Sequence, residues 1–412
     1  MKAIKYIIFF ISIIGCNQKY SYKNQMQDDI IYLSADSLEG RETGKKGEKI
    51  AAEYIKKRFI ELGLDPAGTN DYYQNFNFKN NSSPHKEIKL TIEETDSSIT
   101  ATNVIGFINN NAKNTIVIGA HYDHLGYGNE NSLHRNKKLE IHNGADDNAS
   151  GVAMMIDLAN KLKFEENIAK NNNYLFIAFS GEEIGLLGSN YFTKNPTIDI
   201  SSINYMINMD MVGRLKKEDS SLAIYGTGTS PIFRQIINSN NSNFKIIQKE
   251  SGVGPSDHTS FYLKNIPVLH FFTGQHEDYH KPSDDYQKIN FEGMFIISNY
   301  IFSIIKDLDD NKKLSFNKTK NESEEVPKFK VSLGVIPDYL FDGEGLRIDG
   351  ISEDRPAQIA GLIKGDIVIK MGENEIKDMM SYMKALSKFE KGNTTEVVIN
   401  RKGEKIKKSI TF

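Results

Sequence analysis

Four short stretches of this sequence are apolar almost from end to end: TIVIGA (115–120), NYLFIAFS (173–180), INYMINMD (203–210) and IPVLHFF (266–272). A strand with one face in water alternates apolar and polar residues, so runs without alternation belong to strands covered on both faces. Between and after them lie segments with helical spacing, GVAMMIDLANKL (151–162) and FEGMFIISNYIFSIIKDL (291–308). KLTIEE, TNVIGFI and SLAIYG read as further strands. Earlier in the chain Ile50, Ala51, Tyr54, Ile55, Phe59 and Leu62 recur at helical spacing, and Gly63 is placed to end that helix. Strands alternating with helices predict an α/β fold: a mostly parallel central sheet flanked by helices.

Open α/β sheets place their sites beyond the carboxyl ends of the strands. Five segments carry acids or histidines at such ends. GAHYDHLG holds His121, Asp123 and His124; a histidine ligand usually passes its other N–H to a carboxylate, which His121 and Asp123 are spaced to do. NGADDNASG holds Asp146 and Asp147 before a helix, where capping alone would explain an acid. FSGEEIGLLGS holds Glu182 and Glu183, which read either as a solvated turn or as a metal ligand beside a general base. NMDMVGR places Asp210 in an otherwise apolar strand end, where a carboxylate is costly to bury unless paired or bound to metal. DYHKPSDD holds Tyr279 and His280. Each segment alone has a bland reading. Together His121, Asp147, Glu183, Asp210 and His280 supply a shared carboxylate plus a histidine and a carboxylate for each of two metal ions, and Glu182 is left over as base. Oxygen and nitrogen donors without cysteine suit a catalytic zinc pair.

The only cysteine, Cys16, excludes a disulfide within the chain and a cysteine-based metal site or thiol protease in its body. Lys2 and Lys5 precede the apolar run 7–14, which is too short for a bilayer that needs about 20 apolar residues. Ending at Ile13-Ile14-Gly15-Cys16, it reads as a bacterial lipoprotein signal (1–16), with lipid on Cys16 anchoring the chain to a membrane in the cell envelope, periplasmic or surface-exposed. Residues 17–27 read as a tether. The formal net charge of -3 gives no reason to expect a nucleic-acid partner.

Residues 28–308 are the expected catalytic domain and the polar stretch 309–326 a linker. From 327 to 412, VSLGVIPDY and GLRIDGISEDRPAQIAGLIKGDIVIKMGENEI resemble a PDZ domain of the bacterial protease type, small and of α+β kind. The run Pro356–Leu362 reads as a short helix closed by Gly361, and Lys364-Gly365-Asp366 as the turn into a strand. Such domains add a peptide strand to a sheet edge and take a C-terminal carboxylate on backbone N–H groups; the loop at Leu333, Gly334 and Val335 is the expected cradle.

In order, GAHYDHLG, NGADDNASG, FSGEEIGLLGS, NMDMVGR, SDHTSFY and DYHKPSD resemble metallopeptidase family twenty-eight, the di-zinc aminopeptidases. LSADSLEGRETG, YYQNF and NVIGFI extend the likeness to its secreted bacterial branch, from about Ile30 to about Leu308. The resemblance implies two zinc ions bridged by Asp147, one completed by His121 and Asp210, the other by Glu183 and His280. It implies Glu182 as general base, Asp123 orienting His121, Tyr279 stabilising the oxyanion, and peptides with a free N-terminus as substrates. Asp257, His258 and His124 receive no role, and Asp146 is a cap or a supporting group. The spacing between YYQNF and NVIGFI leaves no room for the lid domain some relatives insert there. Two rivals remain: a glutaminyl cyclase-like zinc acyltransferase of the same fold, whose pocket uses tryptophans, and a non-catalytic envelope receptor for peptides. The chain has no Trp, and no ligand or base is missing.

Overall fold

The computed structural model describes residues 25–412 except 80–88, 92–97, 130, 135–137, 166–169, 242, 310–311, 320–330, 339, 342 and 353. The signal segment with Cys16, and the tether up to residue 24, lie outside the described residues. Residues 25–27 are already helical, in α1 (25–33). Met26 is buried with Ile30 and Leu33, so the apolar stripe starts one turn earlier than the tether reading allowed. No helix among the described residues is long and apolar enough to cross a membrane.

The first domain is built on a ten-stranded mixed sheet. Its centre is β5 (Asn114–His121), flanked by β6 (Asn172–Phe179) and β7 (Ile203–Met209), with β10 (Val268–Phe272) beyond β7; these four are parallel to one another. The contiguous parallel part is these four strands. On one side β4 (Ser98–Ile108) pairs antiparallel with β6, and β2 (Tyr73–Lys79) antiparallel with β4. On the other, β8 (Ser221–Tyr225) runs antiparallel to β10, with β9 (Lys245–Lys249) parallel to β8.

The unbroken apolar runs are explained by cover on both faces. Ile116, Ile118 and Ala120 of β5 pack into one core cluster with α2 (Lys46–Glu61), α3 (Gly151–Phe164) and α7 (Phe291–Asp309). Val117 points the other way, into a second cluster with Phe192 of α4 (Leu187–Lys194) and Phe261 of α6 (His258–Tyr262). The chain leaves β5 for β6 on one side and later reaches β7 on the other, so β5 sits at a topological switch point, with a crevice beyond its carboxyl end.

The second domain has its own sheet, in the order β11 (Val335–Pro337), β12 (Leu346–Ile351), β13 (Ile367–Met371), β15 (Thr394–Arg401), β16 (Glu404–Thr411), with β14 (Asn374–Glu375) paired to β13. Its separate core includes Leu333, Ile348, Val368, Val397 and Ile399. Helix α8 (Pro356–Ile359) is followed by Gly361 at φ +75°, a conformation that only glycine adopts without strain.

The stretch read as a linker is not loose where it is described. Residues 312–319 run along the first domain. Leu314 N–H donates to Asn204 Oδ1 (2.7 Å) and Asn317 N–H to the Thr229 carbonyl (2.8 Å). The Tyr262 hydroxyl accepts from Thr319 N–H (2.9 Å) and donates to its carbonyl (3.1 Å). Polar composition hid these contacts because they are made by backbone groups, which every residue carries.

Where α7 ends, Asp309 is fully buried and accepts from Asn171 N–H (3.1 Å), Asn172 Nδ2 (2.8 Å) and the Tyr174 hydroxyl (3.2 Å). Replacing Asp309 by Ala strands these donors, at least two of them buried. Denaturant unfolding should show a loss of about 1–3 kcal/mol, with the metal content of the folded protein unchanged.

Candidate metal centre

All five segments converge beyond the carboxyl end of β5. His121 is the last residue of that strand, Asp210 follows β7 directly, and Glu182 and Glu183 follow β6. Asp147 comes from the irregular turn Ala145–Ser150 that precedes α3, joined to Asn148 by a cis peptide. His280 lies in the loop after β10, at φ +55°.

Asp147 stands between two groups and turns one oxygen to each. Its Oδ1 lies 3.4 Å from His121 Nε2, which is also 3.3 Å from Asp210 Oδ1. Its Oδ2 lies 3.3 Å from His280 Nε2, which is 3.2 Å from Glu183 Oε2. His280 Nδ1–H donates to the Asn131 carbonyl at 2.8 Å, so the Nε2 lone pair is the one turned inward. Electrostatics follow from the crowding. Burial alone would lower the His121 pKa, but Asp210 and Glu182 hold it well above the ordinary value. Burial and Asp147 push the Glu183 carboxyl up, yet His280 and His124 hold it down at about 2. Asp147 is held well below the carboxylate range against burial, by His121 and His280.

Glu182 behaves differently. Burial, then Asp210, Glu183 and Asp257, push its carboxyl well above the usual range, against His121. It lines a pocket with Asp147, Glu183, Asp210, His280 and Tyr279, whose remaining walls include Met211, Tyr225, His270 and Phe272. The Tyr279 ring stacks on the His280 ring at 3.8 Å between centroids.

Asp123 holds the ligand loop to the base loop. Its Oδ1 accepts the Glu182 N–H at 3.1 Å and its Oδ2 accepts the Thr43 hydroxyl at 2.8 Å. With those donors engaged, His121 Nδ1 is 3.2 Å from the Asp123 main-chain carbonyl and 3.7 Å from its Oδ1. Asp146 does not cap α3. Its Oδ1 accepts the Gly213 N–H at 2.6 Å and its Oδ2 lies 3.1 Å from His276 Nε2, tying the Asp147 turn to the loops after β7 and β10. Asp257 and His258 are fully buried; His258 stacks on His270 at 4.4 Å, and burial pushes Asp257 up to about 7.

The structure adds three residues. His124, three positions after His121, places Nδ1 2.7 Å from Glu183 Oε1 and 3.9 Å from Asp147 Oδ2, a second imidazole beside the Glu183 position. Arg41, within EGRETG, is buried and donates to the carbonyls of Tyr122 (2.7 Å), Leu33 (2.5 Å), Asn143 (2.7 Å) and Gly144 (3.0 Å). Burial lowers its pKa to about 10, against the pull of Asp147 and Asp123. Asp284 accepts the N–H groups of Asp146 and Asp147 on one oxygen (3.0 and 3.1 Å). A second histidine in HYDH was visible in the sequence as a donor without a duty. Nothing in the sequence marked Arg41, since its partners are main-chain carbonyls on distant loops.

The donor set passes a test of fit for metal. His121, Asp147 and Asp210 form one group and His124, Asp147 and Glu183 another, with ligand atoms within 4.8 Å of one another in each. His280 faces the second group as well. All donors are nitrogen or oxygen, and the two groups share one carboxylate, which suits a pair of divalent ions of zinc type.

Comparisons with known proteins agree with the two-part layout. Residues 103–305 match peptidase family M28, and residues 314–411 match the PDZ domain family. A probable leucine aminopeptidase of Trichophyton verrucosum is 33% identical over 172 residues, covering 40% of this chain and 44% of the relative. The chain thus spans under half the length of that curated relative. Two solved structures share the fold. A zinc aminopeptidase from Bacillus subtilis covers 73% of this chain and 98% of its own, at TM-score 0.52 and 17% identity. Porphyromonas gingivalis glutaminyl cyclase covers 70% and 97%, at TM-score 0.53 and 16% identity. At such identities the likeness speaks for fold and leaves the reaction open.

His124→Ala removes the Nδ1 donor from Glu183. Competition with a chromophoric chelator should show metal affinity weakened about 10- to 100-fold, with the fold retained by circular dichroism.

Proposed function

With residues 103–305 a domain of peptidase family M28 and a PDZ domain behind it, we propose that the chain is a zinc-dependent aminopeptidase that hydrolyses the first residue from peptides. The observation that carries this reading is the shared carboxylate. Asp147 offers one oxygen to His121 and Asp210 and the other to His280 and Glu183, and Glu182 stands in the same pocket with no place in either pair.

His121, Asp147 and Asp210 would hold one zinc ion, and Asp147, Glu183 and His280 the other, with His124 bracing Glu183. Bound there, zinc supplies Lewis acidity: it polarises a carbonyl oxygen and makes water more acidic. Glu182 takes the proton of the attacking water and returns it to the leaving amine. A raised pKa makes Glu182 a stronger proton acceptor than a free carboxylate. The N–H bond to Asp123 fixes where the Glu182 backbone stands. Tyr279, which lines the pocket, would donate its hydroxyl to the developing oxyanion. Acids around the pocket favour a substrate's free ammonium group, and Met211, Tyr225 and Phe272 favour an apolar first side chain. Those walls are Tyr, Phe and Met in a chain without Trp, which disfavours the tryptophan-lined cyclase arrangement.

In the same proposal, lipid on Cys16 ties the enzyme to the cell envelope. The PDZ domain takes a peptide or protein C-terminus on β11. That strand lies at the edge of its sheet, next to Gly334 at φ +78°.

Purified protein should release the first residue from unblocked amino-acid anilides, lose activity to a chelator and regain it with zinc. Cleavage of N-acylated substrates with none of free-amine ones would sink the assignment. Glu182→Gln should keep its metal and lose about 10²- to 10⁴-fold in kcat; near-normal turnover would remove Glu182 as base. For the anchor, Cys16→Ser should abolish fatty-acid labelling of the expressed protein, and labelling that persists would contradict it.

A further inference from the structure

Two walls of the pocket beside the metal ligands are backed by a residue of the other domain. Leu340, in the loop between β11 and β12, is only 5% exposed. It belongs to one buried cluster with Met211, Ala223, Ile247 and Phe272, against which Tyr225 and Tyr279 pack. Met211, Phe272, Tyr225 and Tyr279 line the pocket, and Leu340 does not. It therefore stands behind the wall. Its side chain also lies against the Gly274 backbone, so closely that a Cβ there would fall 2.7 Å from Leu340 Cδ1.

The loop is built to present this side chain. Asp338 N–H donates to the Arg347 carbonyl (2.8 Å), and Arg347 Nε donates back to Asp338 Oδ2 (2.7 Å). The other oxygen, Asp338 Oδ1, accepts the Leu340 N–H at 2.9 Å. The Arg347 guanidinium sits 4.7 Å over the Phe341 ring, closing the far side of the turn. A leucine held out on such a turn would face water without the cluster it enters.

We propose that Leu340 of the PDZ domain determines the side-chain specificity of the catalytic pocket, as a positioning residue acting through Met211 and Phe272. The pocket is then shared: one domain supplies the metal ligands and the inner wall, and the other fixes how far that wall can give. Selection among first residues becomes a property of the two domains together. The identity of the ligand rests on the aminopeptidase reading, but the wall does not. A contact that merely joins the domains would affect stability and leave selectivity alone.

The test uses the full chain loaded with zinc, as wild type, Leu340→Ala and Leu340→Met, against glycine, alanine, leucine and phenylalanine anilides. One methylene in an apolar pocket discriminates by about tenfold or more. Leu340→Ala should therefore shift the phenylalanine-to-alanine ratio of kcat/KM about five- to tenfold toward the larger side chain, through KM, with kcat within about twofold. Leu340→Met should return the ratio to near the wild-type value. An unchanged ratio in Leu340→Ala, with a lower melting temperature, overturns the proposal and leaves a structural contact. If wild type cleaves no free-amine anilide, the aminopeptidase reading fails, and amide hydrogen exchange decides the wall. Faster exchange at 211–214 and 272–275 in Leu340→Ala, with 116–120 unchanged, upholds it; equal exchange overturns it.

Discussion

Everything in the first domain answers to the crowding of buried carboxylates around Asp147. Asp147, Glu183 and Asp210 meet the three imidazoles of His121, His124 and His280 beyond the end of one strand, with Glu182, Asp123 and Asp257 close behind. Like charges in a shielded site repel strongly. Arg41, buried with its guanidinium spent on four carbonyls, is one fixed cation in reach. It offsets part of the charge and also pins the 143–144 loop that carries the Asp147 turn. The remaining negative charge is what a pair of divalent ions would neutralise. Glu182, outside the bridging pairs, is pushed by its surroundings toward the protonated form, as is Asp257 behind it.

Much of this was legible in the sequence because burial on both faces leaves a plain signature. The runs at 115–120, 173–180 and 203–210 became β5, β6 and β7, and their carboxyl ends carry His121, Glu182, Glu183 and Asp210. Less legible was the direction of the outer strands. β2, β4 and β8 pair antiparallel, a matter of distant neighbours and not of local pattern. The support of the site was hidden for the same reason. Arg41 and Asp284 act on main-chain groups of loops far away in sequence, and the pairing of Asp123 with the Glu182 N–H shows only when both loops are folded. His124 lay in view but without a partner until Glu183 was placed against it.

The second domain is held to the first by more than a linker. Residues 312–319 dock by backbone hydrogen bonds beside β7 and α6, and Leu340 enters the cluster behind the pocket. Composition marked the first segment as polar and therefore loose, yet its main chain at Leu314, Asn317 and Thr319 is held by Asn204, Thr229 and Tyr262. A PDZ domain fixed in this way stands next to the pocket, with Leu340 packed behind its wall.

The central claim is that one carboxylate serves two metal ions. Metal analysis of the purified full chain, saturated with zinc and then desalted, tests it without recourse to activity. The account predicts two zinc ions per chain in the wild type and fewer than one in Asp147→Ala, with the fold retained by circular dichroism. One ion or none in the wild type, or two in Asp147→Ala, would contradict it.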